Sequence, residues 1–284
     1  MSKLAIDEIF RLKKLGWDSG YVDDLGVWHK KGDSSIEISF PEEAYLALTS
    51  AQIKRDPWEH HRGIEIEKCI KENGHSLIWE IGAGDGSVSD HLRSNGIEVI
   101  CVEPIYGGAR LLAEKGAISY CLTLGELEFP DNSISAIGMF DVLEHIDDAS
   151  ATISEIHRVL APGGLFVCTV PAYNFLFSDF DVAIGHFRRY SKHSLQSLMR
   201  TKNFTEISTH FLFAILVPPA FLLRALPYRL GRRNSYTQEK KIKGLETKIL
   251  SKISKFVGLW FKLESVLRIP VGLSILSAWS KDKS

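Results

Sequence analysis

The stretch LIWEIGAGDG, Leu77 to Gly86, decides the fold of this chain. An apolar strand that carries one acid, Glu80, runs into three glycines spaced two residues apart. Because glycine has no Cβ, such a turn can adopt positive φ and bring backbone amides close to a ligand. The next residues, DGSVSDHL, predict the start of a helix, whose N-terminal amides favour an anionic group.

A second buried strand, IEVICVEP, follows and ends in Glu103. This acid lies roughly twenty residues after Gly82, the offset at which a doubly wound α/β fold hydrogen-bonds ribose hydroxyls. The two features together predict an adenosine-containing cofactor.

The glycine spacing narrows the choice of cofactor. A dinucleotide fingerprint requires G-x-G-x-x-G, whereas this turn reads G-x-G-x-G and places Glu80 two residues before the first glycine. That acid would repel a pyrophosphate and suits a cationic amine. The segment resembles the first motif, E/D-x-G-x-G-x-G, of class I S-adenosylmethionine-dependent methyltransferases, whose cofactor carries an ammonium and a sulfonium.

Later segments resemble the same family in order and spacing. They are AISYCL, LGELEFPDNSISAIGMFDVLEHIDD and EIHRVLAPGGLFVCTVPAY, and the resemblance covers Trp58 to Thr209. It implies an α/β fold with a doubly wound, mostly parallel seven-stranded sheet of the Rossmann-like methyltransferase type. NFTEISTHF and LSILSAWSK suit the sixth and seventh strands, which form an antiparallel hairpin at one edge of the sheet in this family.

The resemblance also implies which residues contact S-adenosylmethionine. They are Glu80, Gly82, Ala83, Gly84, Glu103, Pro104, Leu124 and Phe140. Thr123 stands where relatives place an aspartate that contacts adenine, so adenine recognition is expected to use neighbouring backbone and Leu124. A predicted helix before the first strand carries Trp58, His61 and Arg62 towards the cofactor end, and packing with surface charge is the alternative role for these three.

Four parts are predicted along the chain. They are an N-terminal cap or lid (1–56), the cofactor-binding methyltransferase core (57–210), a basic amphipathic helical insertion before the last strand (211–272), and the final strand with a tail (273–284). Within the cap, GVWHKKGDSSIEISF predicts a hairpin whose turn contains Lys31, Gly32 and Asp33. This part could serve as a lid over the site or as a purely structural cap, and the sequence does not decide between the two roles.

The composition is that of an ordinary soluble domain. The chain has 284 residues, 45% hydrophobic residues and a formal net charge of −1, which gives no overall attraction to nucleic acid. Its four cysteines lie far apart and fall mostly in predicted strands, as expected of a reducing cytoplasm. The N-terminus lacks the apolar core of a signal peptide, so a cytoplasmic protein is predicted.

Positive charge is concentrated in one segment. Phe211 to Pro270 carries twelve Lys or Arg against three Glu. Its opening apolar run is broken by Pro218 and Pro219 and is shorter than the roughly twenty residues that span a bilayer. The pattern predicts amphipathic helices lying on the inner face of an anionic membrane, and helices that only cap the core with a solvated basic face are the alternative.

Candidate catalytic residues follow the fourth strand. Methyl transfer is an in-line displacement, and an oxygen or nitrogen acceptor must also lose a proton. Asp141, Glu144 and His145 lie at the carboxyl end of a parallel strand, where open sheets bind ligands. Their spacing resembles ubiquinone-pathway and small-RNA O-methyltransferases, which implies a divalent metal held by Asp141, Glu144, His145 and His186. A direct base at His145 and a structural role are the alternatives.

The segment GHFRRYS supplies the predicted acceptor-binding residues His186, Arg188, Arg189 and Tyr190. It resembles methyltransferases of bacterial surface-polysaccharide and lipid-linked glycan pathways. Two arginines beside an acceptor pocket suit a phosphate or carboxylate. Pairing of the arginines with Asp179 and Asp181 is the alternative.

We therefore predict an S-adenosylmethionine-dependent methyltransferase at the membrane surface. Its expected acceptor is a hydroxyl on a glycan, lipid-linked or quinone-like molecule, and nucleic acid is not the expected partner. A soluble small-molecule methyltransferase and a cofactor-binding regulatory protein without turnover are the rival hypotheses.

Overall fold

The computed structural model describes residues 3–30, 57–232 and 254–282. Its strands are β1 Tyr21–Val22, β2 Val27–His29, β3 Leu77–Ile81, β4 Glu98–Val102, β5 Ile118–Tyr120, β6 Ile134–Phe140, β7 Leu160–Pro171, β8 Phe204–Leu212 and β9 Ser274–Lys281. Its α-helices are α1 Lys3–Lys14, α2 Pro57–Glu72, α3 Ser87–Ser94, α4 Tyr106–Glu114, α5 Leu124–Leu127, α6 Ala149–Val159, α7 Asp179–Ala183, α8 Lys192–Arg200, α9 Val217–Ala220, α10 Leu226–Arg229 and α11 Ser254–Leu267.

The strands form one sheet in the order β1-β2-β5-β4-β3-β6-β7-β9-β8. β3 pairs in parallel with both β4 and β6, so the chain order reverses at β3. Ligands of doubly wound sheets bind at such a switch point, outside the carboxyl ends of the strands. β9 pairs antiparallel with β7 and with β8, which confirms the predicted edge hairpin.

The sheet has nine strands within the described residues, where seven were predicted. The extra pair is a short hairpin, β1 and β2, which extends the sheet beyond β5 through a parallel pairing. Asp23 Oδ1 accepts hydrogen bonds from the amides of Leu25 and Val27 and so closes the hairpin turn. The predicted hairpin GVWHKKGDSSIEISF already includes β2, whereas β1 was not predicted because a strand of two residues is too short to show a periodicity of two. The turn predicted at Lys31, Gly32 and Asp33 lies outside the described residues.

Both faces of the sheet are covered. All five residues of β3 are buried, as a parallel strand between two layers requires. Trp79 belongs to one face, where its ring meets Trp17 edge-on at 5.9 Å and Phe129 at 4.7 Å between ring centroids. Ile78 belongs to the opposite cluster, with α2 residues such as Ile66 and Ile70. Since side chains alternate along a strand, Glu80 shares the Ile78 side and lies beneath α2 and α3.

The segment between β8 and β9 is helical where the structure describes it. Its last helix, α11, buries Phe261 against His61 of α2, with the two rings stacked at 4.6 Å. Glu264 of α11 accepts a hydrogen bond from the Ala214 amide at 2.9 Å and so ties α11 to the residues that follow β8. Among the described residues, no helix is both long enough and apolar enough to cross a bilayer.

Candidate functional site

The glycine turn folds back on the end of β4. The amides of Gly82 and Ala83 both donate to the Val102 carbonyl, at 2.7 and 3.1 Å. Gly82 has φ +74°, and a Cβ there would lie 2.6 Å from Val142. Gly84 has φ +58°, but a Cβ there would meet nothing within 4 Å. Gly82 is therefore required by close packing, whereas Gly84 borders open space.

That open space is a cavity of about 390 Å³ at the switch point. Seven of the eight predicted cofactor residues line it: Glu80, Gly82, Ala83, Gly84, Glu103, Pro104 and Phe140. Arg62 of α2 and His145 also contribute to its wall. Residues separated in sequence by more than 80 positions thus meet at one edge of the sheet, as the topology demands.

The eighth residue, Leu124, lies elsewhere. It is buried in the core cluster on the α1 side of the sheet and does not line the cavity. The preceding Thr123 caps α5, since its hydroxyl accepts from the Glu126 amide and its own amide donates to the Glu126 carboxylate at 2.7 Å. The position that holds an adenine-contacting acid in relatives therefore serves a helix cap here, and the contact expected of Leu124 stays a prediction.

Glu103 is a buried carboxylate directly after β4. Its two oxygens accept hydrogen bonds from the amides of Gly84 at 2.9 Å and Ile105 at 3.0 Å. These bonds hold the carboxylate against the glycine turn. Glu103 also lines the cavity, so the predicted contact with ribose hydroxyls stays a prediction at this position.

Glu80 is another buried acid that lines the cavity. It accepts a hydrogen bond from the Ser89 hydroxyl on α3. Burial raises the pKa of Glu80 to about 8, although Ser89 and the charge of Arg62 act against the shift. A cationic amine bound in the cavity would favour the ionised carboxylate and lower this pKa.

Arg62 faces the cavity, in agreement with the direction predicted for α2, and its guanidinium forms an ion pair with Asp141. Asp141 follows β6 in the left-handed region, with φ +56°. Its second carboxylate oxygen accepts from the Thr169 hydroxyl at 3.0 Å. Both oxygens of Asp141 therefore already have donors. His61, by contrast, is buried against Phe261 and does not line the cavity.

Glu144, His145 and His186 form a compact cluster. One potential ligand atom from each lies within 4.8 Å of the others. The two imidazole rings meet edge-on at 4.6 Å, and His186 Nε2 lies 3.7 Å from Glu144 Oε1, which is too long for a hydrogen bond. Asp141 is not part of this group, so the structure assembles three of the four predicted metal ligands.

Glu144 is the unusual member of the cluster. It is 1% exposed, and neither carboxylate oxygen accepts a hydrogen bond from the described residues. Burial, reinforced by the charge of Asp141, raises the pKa of Glu144 well above its ordinary value. A buried carboxyl without donors is costly and calls for a bound group or a proton.

His145 connects the cluster to the cavity. Burial and the neighbouring His186 lower its pKa to about 4, so its imidazole is neutral at physiological pH. Two imidazoles and one carboxylate are a donor set that Mn, Fe or Zn-like ions accept. The three residues therefore suit the binding of a divalent metal. They suit equally well a role for His145 as a proton acceptor without a metal.

Asp181, which the sequence suggested only as an ion-pair partner, orients His186. Its Oδ1 lies 2.8 Å from His186 Nδ1, so the Nε2 atom of His186 is directed at Glu144. Asp181 is fully buried, and the Arg189 guanidinium also donates to it, at 2.7 and 3.1 Å. Such a carboxylate–histidine pair fixes the tautomer of a metal-binding or proton-accepting imidazole. A local pattern could not show it, because the loop must fold back for these side chains to meet.

The other residues predicted to bind the methyl acceptor instead fix the loop before α8. Arg189 is buried against Asp181, and the Tyr190 hydroxyl donates to the Leu143 carbonyl at 3.2 Å. Arg188 donates to the Asp147 carbonyl at 2.8 Å and keeps a third of its side chain exposed. None of these three lines the cofactor cavity. Of the pair of arginines, Arg188 alone is placed to meet a ligand from solvent.

Comparison with known proteins agrees with this geometry. A family model described as a methyltransferase domain matches residues 66–209, about half of the chain. A "probable S-adenosylmethionine-dependent methyltransferase" of Mycobacterium tuberculosis is 25% identical over 195 residues, which cover 65% of this chain and 71% of that protein. A ubiquinone biosynthesis O-methyltransferase of Bradyrhizobium is 32% identical over 113 residues, 38% of this chain and 44% of that protein.

A solved structure shares the fold. It is a methyltransferase of Thermotoga maritima, described as a possible histamine N-methyltransferase, with TM-score 0.52 and 21% identity. The match covers 61% of this chain and 83% of that one. The matched family model spans the glycine turn, the buried acids Glu80 and Glu103, and the strand that leads to His145. This chain belongs to the methyltransferase domain family and is an S-adenosylmethionine-dependent methyltransferase.

Proposed function

We propose that the enzyme methylates a hydroxyl oxygen, on a glycan, lipid-linked or quinone-like acceptor held at the cytoplasmic face of a membrane. The observation that carries the proposal is the neutral imidazole of His145 on the cavity wall, with Glu144 and His186 behind it. A hydroxyl acceptor must lose a proton during methylation, and this imidazole lines the cavity in a state to accept one.

The reaction needs little covalent chemistry from the protein. The acceptor oxygen forms a bond to the methyl carbon while the bond from that carbon to the cofactor sulfur breaks, and the hydroxyl proton passes to His145. Glu103 and Glu80 hold the ribose and the ammonium, which fixes the direction of the methyl group. Arg62 lines the cavity and is suited to bind the cofactor carboxylate. In doing so it would give up its ion pair with Asp141.

Glu144, His145 and His186 would hold a divalent ion if the enzyme uses one. Such an ion would orient the acceptor hydroxyl and lower its pKa. Asp181 supports either arrangement, because it fixes the tautomer of His186. The name of the Bradyrhizobium relative favours a hydroxyl acceptor, although its match covers under half of that protein.

Membrane attachment is proposed from the helical insertion. Leu222 and Leu230 are 57% and 68% exposed, and Leu259 and Val266 of α11 are 68% and 79% exposed. The exposed arginines of the same segment are Arg229, Arg232 and Arg268. Apolar side chains next to arginines suit the interface of an anionic bilayer.

The test supplies purified enzyme with methyl-labelled S-adenosylmethionine and extracts of cell envelope or soluble metabolites from a deletion strain. We expect label in an envelope component, as an alkali-stable ether. His145→Ala should lower the rate by about 100-fold or more, the usual contribution of a general base. Label found only in soluble metabolites would favour the rival small-molecule enzyme, and label on nitrogen or carbon would overturn the hydroxyl acceptor.

A further inference from the structure

A second cavity, of about 290 Å³, lies between α2, β8 and α11. It shares no lining residue with the cofactor cavity, although both border α2. Its volume is near the lower limit of small-molecule sites in proteins. Its wall contains Glu65 of α2, His210 of β8 and Glu264 of α11.

Within the part of the chain that the structure describes, Glu264 contributes a carboxylate oxygen without a hydrogen-bond donor to this wall. The residue is 2% exposed, and its Oε1 accepts from the Ala214 amide. Its Oε2 has no hydrogen-bond donor among the described residues. Burial and the nearby charge of Glu65 raise the pKa of Glu264. A buried carboxylate oxygen without a donor is costly, so a donor bound in the cavity would relieve a penalty that the fold already carries.

His210 adds a neutral acceptor to the same wall. Neither ring nitrogen has a hydrogen-bond partner among the described residues, and Nε2 lies 3.8 Å from Glu65 Oε2, beyond hydrogen-bond range. Burial lowers the pKa of His210. The interior of the cavity therefore offers two buried carboxyls and a neutral imidazole. Lys68, Glu72 and Arg268 stand at its rim.

A metal ion does not explain this wall. Within residues 3–30, 57–232 and 254–282, the only group of three or more His, Cys, Asp or Glu side chains close enough to hold an ion together is Glu144, His145 and His186. A charged group that carries several N–H donors can instead reach acceptors that lie apart, and its charge offsets that of the carboxylates. We propose that the second cavity binds a small organic cation through an ammonium or guanidinium group, with Glu264 as its principal partner.

Calorimetric titration of the full-length protein with methylguanidinium or ethylammonium tests the site, with acetate as the anionic probe. We expect saturable one-site binding of at least one cation and none of acetate. Glu264→Gln keeps an oxygen for the Ala214 amide but loses the charge, and it should weaken cation binding about tenfold or more. Glu72→Gln, at the rim, should change affinity less than twofold.

Two further variants show which cavity binds the cation and replace Glu264→Gln if that variant does not fold. Glu80→Gln removes the acid of the cofactor cavity and should leave the cation affinity unchanged, so a loss in this variant would assign the binding to that cavity and overturn the proposal. His210→Ala gives an independent reduction if Glu264→Gln fails to fold. Absence of saturable binding, or equal binding by wild type, Glu264→Gln and His210→Ala, would mean that water alone fills the cavity.

Discussion

Glu80 couples cofactor binding to pH at the scale of a single residue. Its carboxyl is buried beneath the glycine turn, and its pKa of about 8 means that it is largely protonated at neutral pH when the cavity holds no cation. The cofactor ammonium pairs with the ionised form. Binding at neutral pH must therefore release a proton from Glu80.

This linkage predicts a rising affinity for S-adenosylmethionine as pH increases towards 8. Below the pKa of about 8, each pH unit should change the dissociation constant by up to about tenfold, and the dependence should level off above it. Calorimetry in buffers of different ionisation enthalpy measures the released proton directly. Glu80→Gln should bind weakly and without this slope, and a wild-type affinity that is flat between pH 6 and about 9 would contradict the linkage.

Gly82 and Gly84 have different reasons for being glycine. Both have positive φ, but only at Gly82 would a Cβ clash, with Val142 at 2.6 Å. Gly84→Ala should cost about 1–2 kcal/mol of unfolding free energy from its backbone, whereas Gly82→Ala should cost about 1–3 kcal/mol more through overpacking. Denaturant unfolding measures both. The matched variant Gly82→Ala/Val142→Ala should recover part of the loss, and no recovery would exclude this contact as the cause.

At this scale, the role of a residue could be predicted from the sequence when the residue lies close to a recognisable motif. Glu80 and Glu103 were predicted because each lies at a set distance from a strand-to-helix turn, and the cavity includes both. The contact of Asp181 with His186, and of Tyr190 with Leu143, depends on the path of a loop between β7 and α8. Arg189 was given two roles, and burial beside Asp181 favours the structural one.

At the scale of elements, two segments build the cluster of Glu144, His145 and His186. Glu144 and His145 lie on a single turn of 3₁₀ helix after β6, and His186 lies in the loop before α8. The Phe187 amide donates to the Glu144 carbonyl at 2.8 Å, so the loop is held directly against that turn. The element order of the core was predictable from alternating apolar strands and helices. The pairing of β2 with β1 and β5 was not, because β1 has only two residues and the contact with β5 is remote in sequence.

A metal in this cluster would be visible in the purified protein. If the enzyme uses a metal, elemental analysis should find close to one divalent ion per chain, and His186→Ala should deplete it. Arg188→Ala, in the same loop but outside the cluster, is the control and should retain the ion. A metal-free preparation that transfers methyl groups at an undiminished rate would leave His145 as a direct base.

At the scale of the whole molecule, the basic insertion carries the proposal of membrane attachment. The sequence predicted its position between the last two strands, and β8 and β9 flank it as expected. Which of its apolar residues face outwards could not be predicted, because an amphipathic pattern does not say whether its apolar side meets the core or a bilayer. In α11, Phe261 packs inwards, whereas Leu259 and Val266 are exposed.

Vesicle flotation tests this surface. Wild-type protein should float with vesicles of anionic phospholipid at low salt and should bind zwitterionic vesicles less, because basic residues supply part of the attraction. Leu222→Glu/Leu223→Glu should reduce the bound fraction severalfold without lowering the affinity for S-adenosylmethionine. Protein that stays in the soluble fraction with anionic vesicles at low salt would remove the membrane proposal and leave the enzyme assignment intact.

Calorimetric titration with S-adenosylmethionine tests the central claim, that this cavity holds the methyl donor. Wild-type protein should bind one equivalent, and Glu103→Ala should abolish detectable binding because the ribose and the Gly84 amide both lose their acceptor. Glu98→Ala, at the other end of β4, is the matched control and should bind as wild type does. Absence of binding by the wild type, or unchanged binding by Glu103→Ala, would contradict the account.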